Sequence, residues 1–313
     1  MRVLFAGTPG IAVPSLRETA RAHEVCAVLT TRDRPAGRGR AAEASEVKRA
    51  ALALGLRVLE VDRLDAAIRG TVRDLAPELL VVVAFGRIFR QSFRELFPRG
   101  GVNVHPSLLP RHRGPSPIAS AILGGDPETG VTVQRIALEV DAGDVFAQRR
   151  VVLDGTETTG SLTSVLADVG ADLLAGVLES IEAGTAAATP QAGEVTRCRL
   201  TAKEDGTVDW REAAAVIERK VRAYDPWPRA STTWEGQPLL LLQTRLPAGT
   251  VVPVPGASPG TVLGPSRDGL AVQAGDGLVA ITRLQLAFGR PMDWRAFVNG
   301  HPGIDGARLG GSA

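Results

Sequence analysis

Short apolar runs alternate with helix-type segments through the first half of the chain, and this alternation constrains the fold more than any other feature of the sequence. The runs are strand-length and rich in β-branched residues, at residues 3–7, 25–31, 57–61, 79–85 and 101–105. The segments between them have helical composition and include residues 12–23, 44–54 and 64–75. Such alternation is typical of βαβ units. We therefore expect an α/β fold with an open, mostly parallel sheet covered by helices on both faces.

The second half of the chain has a different pattern. Two further strands at residues 131–136 and 145–153 and a long helix at 161–182 precede a stretch rich in Ala, Thr, Gly and Pro, which is typical of a connector. One helix at 211–224 then precedes short strand-type runs, at residues 229–234, 239–244, 260–263, 270–274 and 279–285. These short runs predict a small antiparallel β-barrel. We place domains at 1–189 and 205–313, with a linker at 190–204.

Charge and cysteine content bear on the environment and partners of the chain. Its 313 residues contain 36 Lys and Arg against 34 Asp and Glu, and the net charge of +2 neither requires nor excludes a nucleic-acid partner. Two distant cysteines, Cys26 and Cys198, cannot form a disulfide framework, so we expect a cytoplasmic location. The apolar run after Met1 is too short for a signal peptide and the others are strand-length, so we expect no membrane segment. The histidines and cysteines show no paired ligand spacing, which argues against a metal site.

The segment Asn103-Val104-His105 is the most informative candidate for chemistry. Side chains two apart on a strand share a face, so Asn103 and His105 project together while Val102 and Val104 pack on the other side. Polar side chains at the carboxyl end of a buried parallel strand need partners or a ligand, and open α/β sheets bind substrates at this end. A polar pair satisfied within the protein is the structural alternative.

Two further segments have the composition of loops. Prolines in and after Ser107-Leu108-Leu109-Pro110 exclude a regular helix or a central strand, so we expect an ordered loop there. Its apolar residues fit the wall of a ligand pocket and fit a buried loop anchor equally well. Asp141-Ala142-Gly143-Asp144, taken by itself, has the composition of an ordinary turn.

Two common enzyme classes are disfavoured because their motifs are missing. Gly7-Thr8-Pro9-Gly10 follows the first strand but is not GxGxxG, and no acidic residue plainly closes the second strand, which argues against a nicotinamide cofactor. Ser107, His105 and Asp141 contain the residue types of a hydrolase triad, but no GxSxG elbow is present. We therefore do not expect a serine nucleophile.

A basic loop at residues 32–40 carries four arginines against one aspartate. A solvated loop is the usual explanation of a charge run, but spaced arginines between Pro and Gly also suit phosphate contacts. Residues 204–313 contain 11 basic and 11 acidic side chains, so any nucleic-acid contact there must be local. The candidates on the predicted helix are Arg219, Lys220 and Arg222.

These motifs together resemble those of the methionyl-tRNA formyltransferase family, and the likeness extends along nearly the whole chain. Asn103-Val104-His105, Ser107-Leu108-Leu109-Pro110 and Asp141-Ala142-Gly143-Asp144 match the wider folate-dependent formyltransferase superfamily. The loop Arg34-Pro35-Ala36-Gly37-Arg38-Gly39 and, in the second domain, Asp225-Pro226-Trp227-Pro228 indicate the tRNA-specific branch.

The resemblance implies formylation of methionyl initiator tRNA in translation initiation, with 10-formyltetrahydrofolate as the one-carbon donor. It also implies a Rossmann-like catalytic domain followed by an OB-like barrel, in a monomer that needs no metal. The catalytic residues would be Asn103, His105 and Asp141. The folate-binding residues would be Ser107, Leu108, Leu109, Pro110, Phe85, Gly86, Arg87 and Ile88. The tRNA-binding residues would be Arg34, Gly37, Arg38 and Arg40.

Departures from the family pattern shape the remaining expectations. Pro106 stands where glycine is usual in this branch, and His112 replaces a tryptophan near the expected site of the tRNA acceptor end. Ala41-Ala42-Glu43 replaces a basic pair and the second domain is neutral, so we expect tRNA binding to be weaker or to depend more on Arg38 and Arg40. A sugar-nucleotide N-formyltransferase, which shares the catalytic domain and a following barrel, is the alternative enzyme. A tRNA-binding protein with an inactive site is the alternative from another class.

Overall fold

The chain forms two compact units in the computed structural model, which describes residues 1–36, 41–248 and 253–310. The units are assembled from several stretches of the chain. The first consists of Met1–Pro117, Glu128–Val152 and Leu162–Arg199, and the second of Ile118–Pro127, Leu153–Ser161 and Leu200–Ala313. Residues 190–199 thus group with the first unit, although their composition is that of a connector.

A mixed, mostly parallel sheet forms the centre of the first unit. The strands in this part of the chain are β1 (Arg2–Gly7), β2 (Glu24–Thr30), β3 (Arg34–Ala36), β4 (Ala41–Glu43), β5 (Val58–Glu60), β6 (Leu79–Val83), β7 (Gly101–His105), β8 (Glu128–Arg135) and β9 (Val145–Val152). The sheet has the order β5-β2-β1-β6-β7-β8-β9, and β3 and β4 form a separate antiparallel hairpin. Only β8 and β9 join it by antiparallel pairing. The predicted open, mostly parallel, Rossmann-like sheet is therefore confirmed.

The helices of the first half follow the predicted alternation. They are α1 (Val13–Ala22), α2 (Glu46–Ala53), α3 (Ala66–Asp74), α4 (Gln91–Arg94), α5 (Pro117–Gly124) and α6 (Thr159–Glu182). Side-chain caps mark where two of them begin, since Ser45 accepts from Lys48 N at 3.0 Å and Asp65 accepts from Ile68 N at 3.1 Å. The predicted helices are confirmed. The helices α4 and α5 are additional, because α4 has only four residues and α5 is apolar along nearly its whole length, so neither shows a polar and an apolar face.

Helix α6 is long and apolar enough, by length and composition alone, to cross a membrane. Its apolar side chains are used within the first unit, where Leu166 and Leu174 are buried. Gly170 lies so close to the sheet that a Cβ there would meet Val104 at 3.1 Å and Val131 at 3.5 Å. The face of α6 that carries Leu166, Gly170 and Leu174 therefore belongs to the core that supports β7 and β8.

The second unit contains an antiparallel sheet. Its elements are α7 (Ala214–Ala223), β10 (Ala230–Trp234), β11 (Gln237–Arg245), β12 (Val262–Pro265), β13 (Leu270–Gln273), β14 (Leu278–Leu286), β15 (Met292–Asp293) and α8 (Trp294–Gly300). The order is β10-β11-β14-β13-β12, with β15 added to β14. The buried core includes Trp210, Ile217, Trp234 and Phe297. The predicted helix and short antiparallel strands are confirmed, and α8, which begins at the Asp293 cap, is additional.

Candidate active site

A polar face forms where β7 ends, at the carboxyl end of the parallel part of the sheet. Asn103 pairs in register with Gln134 of β8, and His105 pairs with Thr132. Residues opposite each other in adjacent strands point to the same side, so the four side chains share this face. His105, Thr132 and Gln134 are each at most 5% exposed. The face is therefore shielded from water as well as polar.

Asp141 lies on the same face, and its carboxylate accepts hydrogen bonds from three groups. Oδ1 accepts from Asn103 Nδ2 at 3.3 Å and from Gln134 Nε2 at 3.1 Å, and Oδ2 accepts from Gly114 N at 2.9 Å. The Asp141 backbone has a φ of +55°, a region that Asp tolerates better than most residues. The structure thus brings Asn103, His105 and Asp141 together.

Two glycines allow the backbone to approach closely around Asp141. A Cβ on Gly143 would lie 1.7 Å from the backbone oxygen of Arg135. Gly114 has a φ of +120°, and a Cβ there would lie 2.3 Å from the backbone oxygen of Cys198. Only glycine fits at either position. These contacts hold the Asp141 turn against β8 and the loop at 111–116 against residue 198.

The imidazole of His105 meets an acceptor at each ring nitrogen. Nε2 lies 3.0 Å from the backbone oxygen of His112, and Nδ1 lies 3.5 Å from Asp141 Oδ1. Burial lowers the pKa of His105 below its ordinary value of 6.5, against the opposing effect of the Asp141 carboxylate. We therefore assign a neutral ring at pH 7, with one ring nitrogen protonated and the other free to take up a proton. Once protonated, the ring can donate to both acceptors.

The loop after His105 is anchored mainly by its own side chains and by Thr132 of β8. Thr132 Oγ1 donates to Ser107 O at 2.7 Å and accepts from Leu109 N at 3.1 Å. Ser107, Leu109 and Pro110 are buried, whereas Leu108 is half-buried. The buried-anchor interpretation therefore describes most of this loop. The parts of it that a ligand could touch are the backbone and Leu108.

The other segment expected to contact folate, residues 85–88, begins two residues after the end of β6, the strand that pairs with β7. Phe85 is 2% exposed and its ring stacks on Phe89 at 5.5 Å, so the ring is part of the core. Gly86 has a φ of +73°, and Arg87 Nε donates to a backbone oxygen at 3.0 Å. Ile88 is 69% exposed and offers apolar surface on this side of the sheet. The backbone and Ile88, rather than the Phe85 ring, are the parts accessible to a ligand.

The residues expected to contact tRNA are described only in part. Arg34 lies in β3, at the start of the hairpin. Gly37, Arg38 and Arg40 lie outside the described residues.

Lys48 of α2 anchors the chain that leads into this hairpin. Its Nζ donates to Asp33 Oδ2 at 2.7 Å and to Glu60 Oε1 at 2.6 Å. The hydrogen bonds to Asp33 and Glu60 raise the pKa of Lys48. The residue immediately before the hairpin is thus tied both to α2 and to the edge strand β5.

The cations expected on the second-unit helix are largely neutralised by local acidic groups. Lys220 Nζ contacts both carboxylate oxygens of Glu212, at 2.5 and 2.7 Å. Arg222 Nε donates to Glu218 Oε1 at 2.7 Å. α7 therefore offers less available positive charge than its residue types suggest.

Two glutamines belong to the site although the sequence interpretation missed them. Gln134 alternates with buried valines along β8, the same signal that identified Asn103, so its pattern contains the information. Gln191 lies in the connector-type stretch, where no pattern distinguishes it. Its Nε2 donates to the backbone oxygens of Asp141 and Gly143, at 2.8 Å each.

The site combines a neutral imidazole, a carboxylate and a side-chain amide. Asn103 uses one amide N–H on Asp141, and its second N–H has no partner among residues 1–36, 41–248 and 253–310. Within the same ranges, no group of three or more His, Cys, Asp and Glu side chains could hold a metal ion. The arrangement can take up a proton at His105 and donate a hydrogen bond from Asn103 to a developing negative charge.

Comparisons with known proteins identify the class that this fold and site define. A family model described as Formyl transferase matches residues 1–178, and one described as Formyl transferase, C-terminal domain, matches residues 201–302. The chain is 46% identical to a Methionyl-tRNA formyltransferase of Treponema pallidum (strain Nichols) and 44% identical to one of Roseiflexus castenholzii (strain DSM 13941 / HLO8), each over 99% of both chains. The chain therefore belongs to the methionyl-tRNA formyltransferase family.

The fold is also found in solved structures of distant proteins. An N-formyltransferase from Helicobacter canadensis, in complex with folinic acid and dTDP-3-aminofucose, is similar with a TM-score of 0.65 over 93% of this chain and 99% of that one. Its sequence is 16% identical, so this likeness shows the fold alone.

Proposed function

We propose that this chain transfers the formyl group of 10-formyltetrahydrofolate to the amino group of methionyl initiator tRNA, in support of translation initiation. One observation carries the proposal: Asn103 and His105 meet Asp141 on a shielded face, in a chain at least 44% identical to relatives named for this reaction. The chemistry requires groups that bind an oxyanion and move a proton. It requires no metal and no covalent nucleophile.

The proposed roles follow from the charges that develop during transfer. The amine nitrogen attacks the formyl carbon, and negative charge develops on the formyl oxygen, to which the second N–H of Asn103 donates. His105 takes the proton that leaves the amine, and the imidazolium that forms is stabilised by Asp141 and by the backbone oxygen of His112. The bond between the formyl carbon and the folate nitrogen breaks, the imidazolium gives its proton to that nitrogen, and tetrahydrofolate leaves.

Substrate binding is assigned to three parts of the chain. Folate lies along residues 85–88 and 107–110, with Ile88 and Leu108 as apolar contacts. The acceptor tRNA contacts Arg34, Gly37, Arg38 and Arg40, since guanidinium groups bind phosphates bidentately. The second domain, 205–313, is an OB-like barrel after the linker 190–204, and its short antiparallel strands around one core support this assignment. The protein acts as a cytoplasmic monomer without a membrane.

A direct assay tests this function. Purified protein is mixed with 10-formyltetrahydrofolate and either charged initiator tRNA or a free amino-sugar nucleotide, and the formylated product is measured. We expect formyl-methionyl tRNA, and preference for the sugar nucleotide would select the alternative enzyme. The His105→Ala variant should lose turnover and keep its affinity for tRNA. If the unaltered protein binds tRNA and forms no product at micromolar concentration, it is a binding protein instead.

A further inference from the structure

Residues 189–198 run alongside the site as a hydrogen-bonded strand-like segment. Thr189 exchanges backbone hydrogen bonds with Val145 of β9 at 2.7 and 2.9 Å. Arg113 N donates to the backbone oxygen of Thr196 at 2.9 Å. The segment is therefore attached to β9 at one end and to the loop after β7 at the other, so it is built into the first unit.

Gln191 uses every part of its side-chain amide in this segment. Its Nε2 donates to the backbone oxygens of Asp141 and Gly143, at 2.8 Å each. Its Oε1 accepts from Arg113 Nε at 3.1 Å and from Arg113 Nη2 at 2.7 Å. One side chain thus connects the turn that carries Asp141 with the loop that carries Arg113.

Both of these connected parts determine where the Asp141 carboxylate lies. The turn before it is open to solvent, since Leu138 is 72% and Val140 is 48% exposed, and Asp141 itself has a φ of +55°. On the other side, Arg113 directly precedes Gly114, whose N–H donates to Asp141 Oδ2. Gln191 therefore constrains the backbone of Asp141 and also the position of one of its carboxylate donors.

We propose that Gln191 is a positioning residue of the active site, which holds Asp141 at the distance from His105 and Asn103 that formyl transfer requires. The inference rests on the proposed function and assigns a role within it to a residue of the 189–198 segment. Gln191 touches no reacting atom. Its effect on the reaction passes through Asp141.

The matched variants Gln191→Glu and Gln191→Ala separate the two halves of the amide. Glutamate keeps the shape and the acceptor for Arg113 but loses both N–H donors toward the Asp141 turn, whereas alanine loses everything. We expect each variant to lower kcat by about tenfold to a hundredfold, because a displacement on the order of 1 Å has this effect on transfer reactions. The KM for tRNA should change by less than about twofold, since neither variant removes a contact that binds tRNA equally in the ground state and the transition state.

A second readout does not depend on substrate and distinguishes failure of this inference from failure of the proposed function. The chain has four histidines, so the imidazole of His105 can be followed by NMR titration and assigned with His105→Ala. The charges facing it are the Asp141 carboxylate, which raises its pKa, and His112, which lowers it. A displaced Asp141 should therefore lower the pKa of His105 further in Gln191→Ala, which introduces no new charge beside the imidazole.

Gln285→Glu is the control, because Gln285 Nε2 also donates to a backbone oxygen, that of Gly289 at 2.9 Å, but in the second unit. It should leave both kcat and the titration of His105 unchanged. The inference stands if both Gln191 variants lower kcat and Gln191→Ala lowers the pKa of His105 while the melting temperature shows a folded protein. It is overturned if Gln191→Ala keeps the kcat or the His105 titration of the unaltered protein. Should the assay detect no formylation at all, the titration alone decides.

Discussion

The two units of this chain place their polar side chains in opposite ways. In the first, Asn103 and Gln134 lie on a shielded face and donate to the Asp141 carboxylate. In the second, the core around Trp234 and Phe297 is built largely from apolar side chains, and Lys220 and Arg222 of α7 pair with nearby carboxylates. The polar groups that can do chemistry are thus concentrated in one unit.

The difference shows what each unit is built for. Burying polar groups costs free energy unless all of them find partners, so a connected polar face is retained where chemistry needs it. An apolar core mainly contributes stability through burial. Substitutions in the two units should therefore separate turnover from stability.

The largest expected effect is the loss of turnover when His105 is replaced by glutamine, a side chain of similar volume that is not a general base. We expect kcat to fall by about 10² to 10⁴-fold, the usual contribution of a positioned acid–base group. Steady-state formylation measures kcat, and circular dichroism checks that the variant is folded. A kcat within tenfold of the unaltered protein would remove His105 from the proposed mechanism.

The opposite result, a loss of stability without a loss of turnover, is expected from Phe297→Ala in the second unit. Phe297 is 1% exposed and its ring lies 5.9 Å from that of Trp234, so its removal should cost about 3 to 5 kcal/mol of unfolding free energy. At temperatures where the variant is folded, kcat should stay within about twofold, because the proposed catalytic residues all lie in the first unit. Urea denaturation gives the unfolding free energy, and kcat is measured about 20 °C below the melting temperature of the variant. Parallel loss of kcat and stability would show that the units are not separable in this way.

The pH dependence of turnover should come from His105, which lies in the first unit. Because burial lowers the pKa of His105 below 6.5, the ring is neutral at pH 7, and kcat/KM should fall by about tenfold per pH unit once the pH drops below that lowered value. As the pH falls below 6.5, the unfolded chain takes up a proton at His105 before the folded protein does. The contribution of the neutral His105 ring to the unfolding free energy is therefore full above pH 6.5 and is lost as the pH falls through the lowered pKa. A pH–rate profile with no acidic limb would contradict the assignment.

The smallest expected effect concerns the attachment of the basic loop. Lys48→Ala removes the hydrogen bonds to Asp33 and Glu60 and should raise the KM for tRNA by about two- to fivefold, the range of an ion pair near the surface, with kcat unchanged. Lys220→Ala in the second unit, which breaks an ion pair with Glu212, is the matched control. An equal rise in KM for both variants would mean that general charge, rather than the loop, decides tRNA binding.

Much of the fold could be predicted from local periodicity. β6 is a continuous apolar run and β7 alternates polar and apolar residues. Each of these patterns is contained in a single strand of five residues. The short helix α4 and the hairpin of β3 and β4 were missed because a segment of three or four residues has no measurable period. The antiparallel direction of β8 was not predicted either, since strand direction depends on how the chain returns to the sheet.

The candidate site divides in the same way. The shared face of Asn103 and His105 follows from a spacing of two residues, whereas Asp141 was identified only through the resemblance to a family. Gln191 carried no signal at all, because its partners are 48 and 50 residues away in the chain.

The amino-acid sequence by itself determined the alternation of strands and helices, the facing of Asn103 and His105, and the family to which the motifs point. The tertiary structure alone decided that the Phe85 ring packs in the core, that both nitrogens of His105 meet acceptors, and that Gln191 reaches the Asp141 turn. The physical reason is how far along the chain the interacting residues lie from one another. Periodicity specifies which way a side chain points, but burial, protonation and hydrogen-bond partners depend on segments that meet only when the chain is folded.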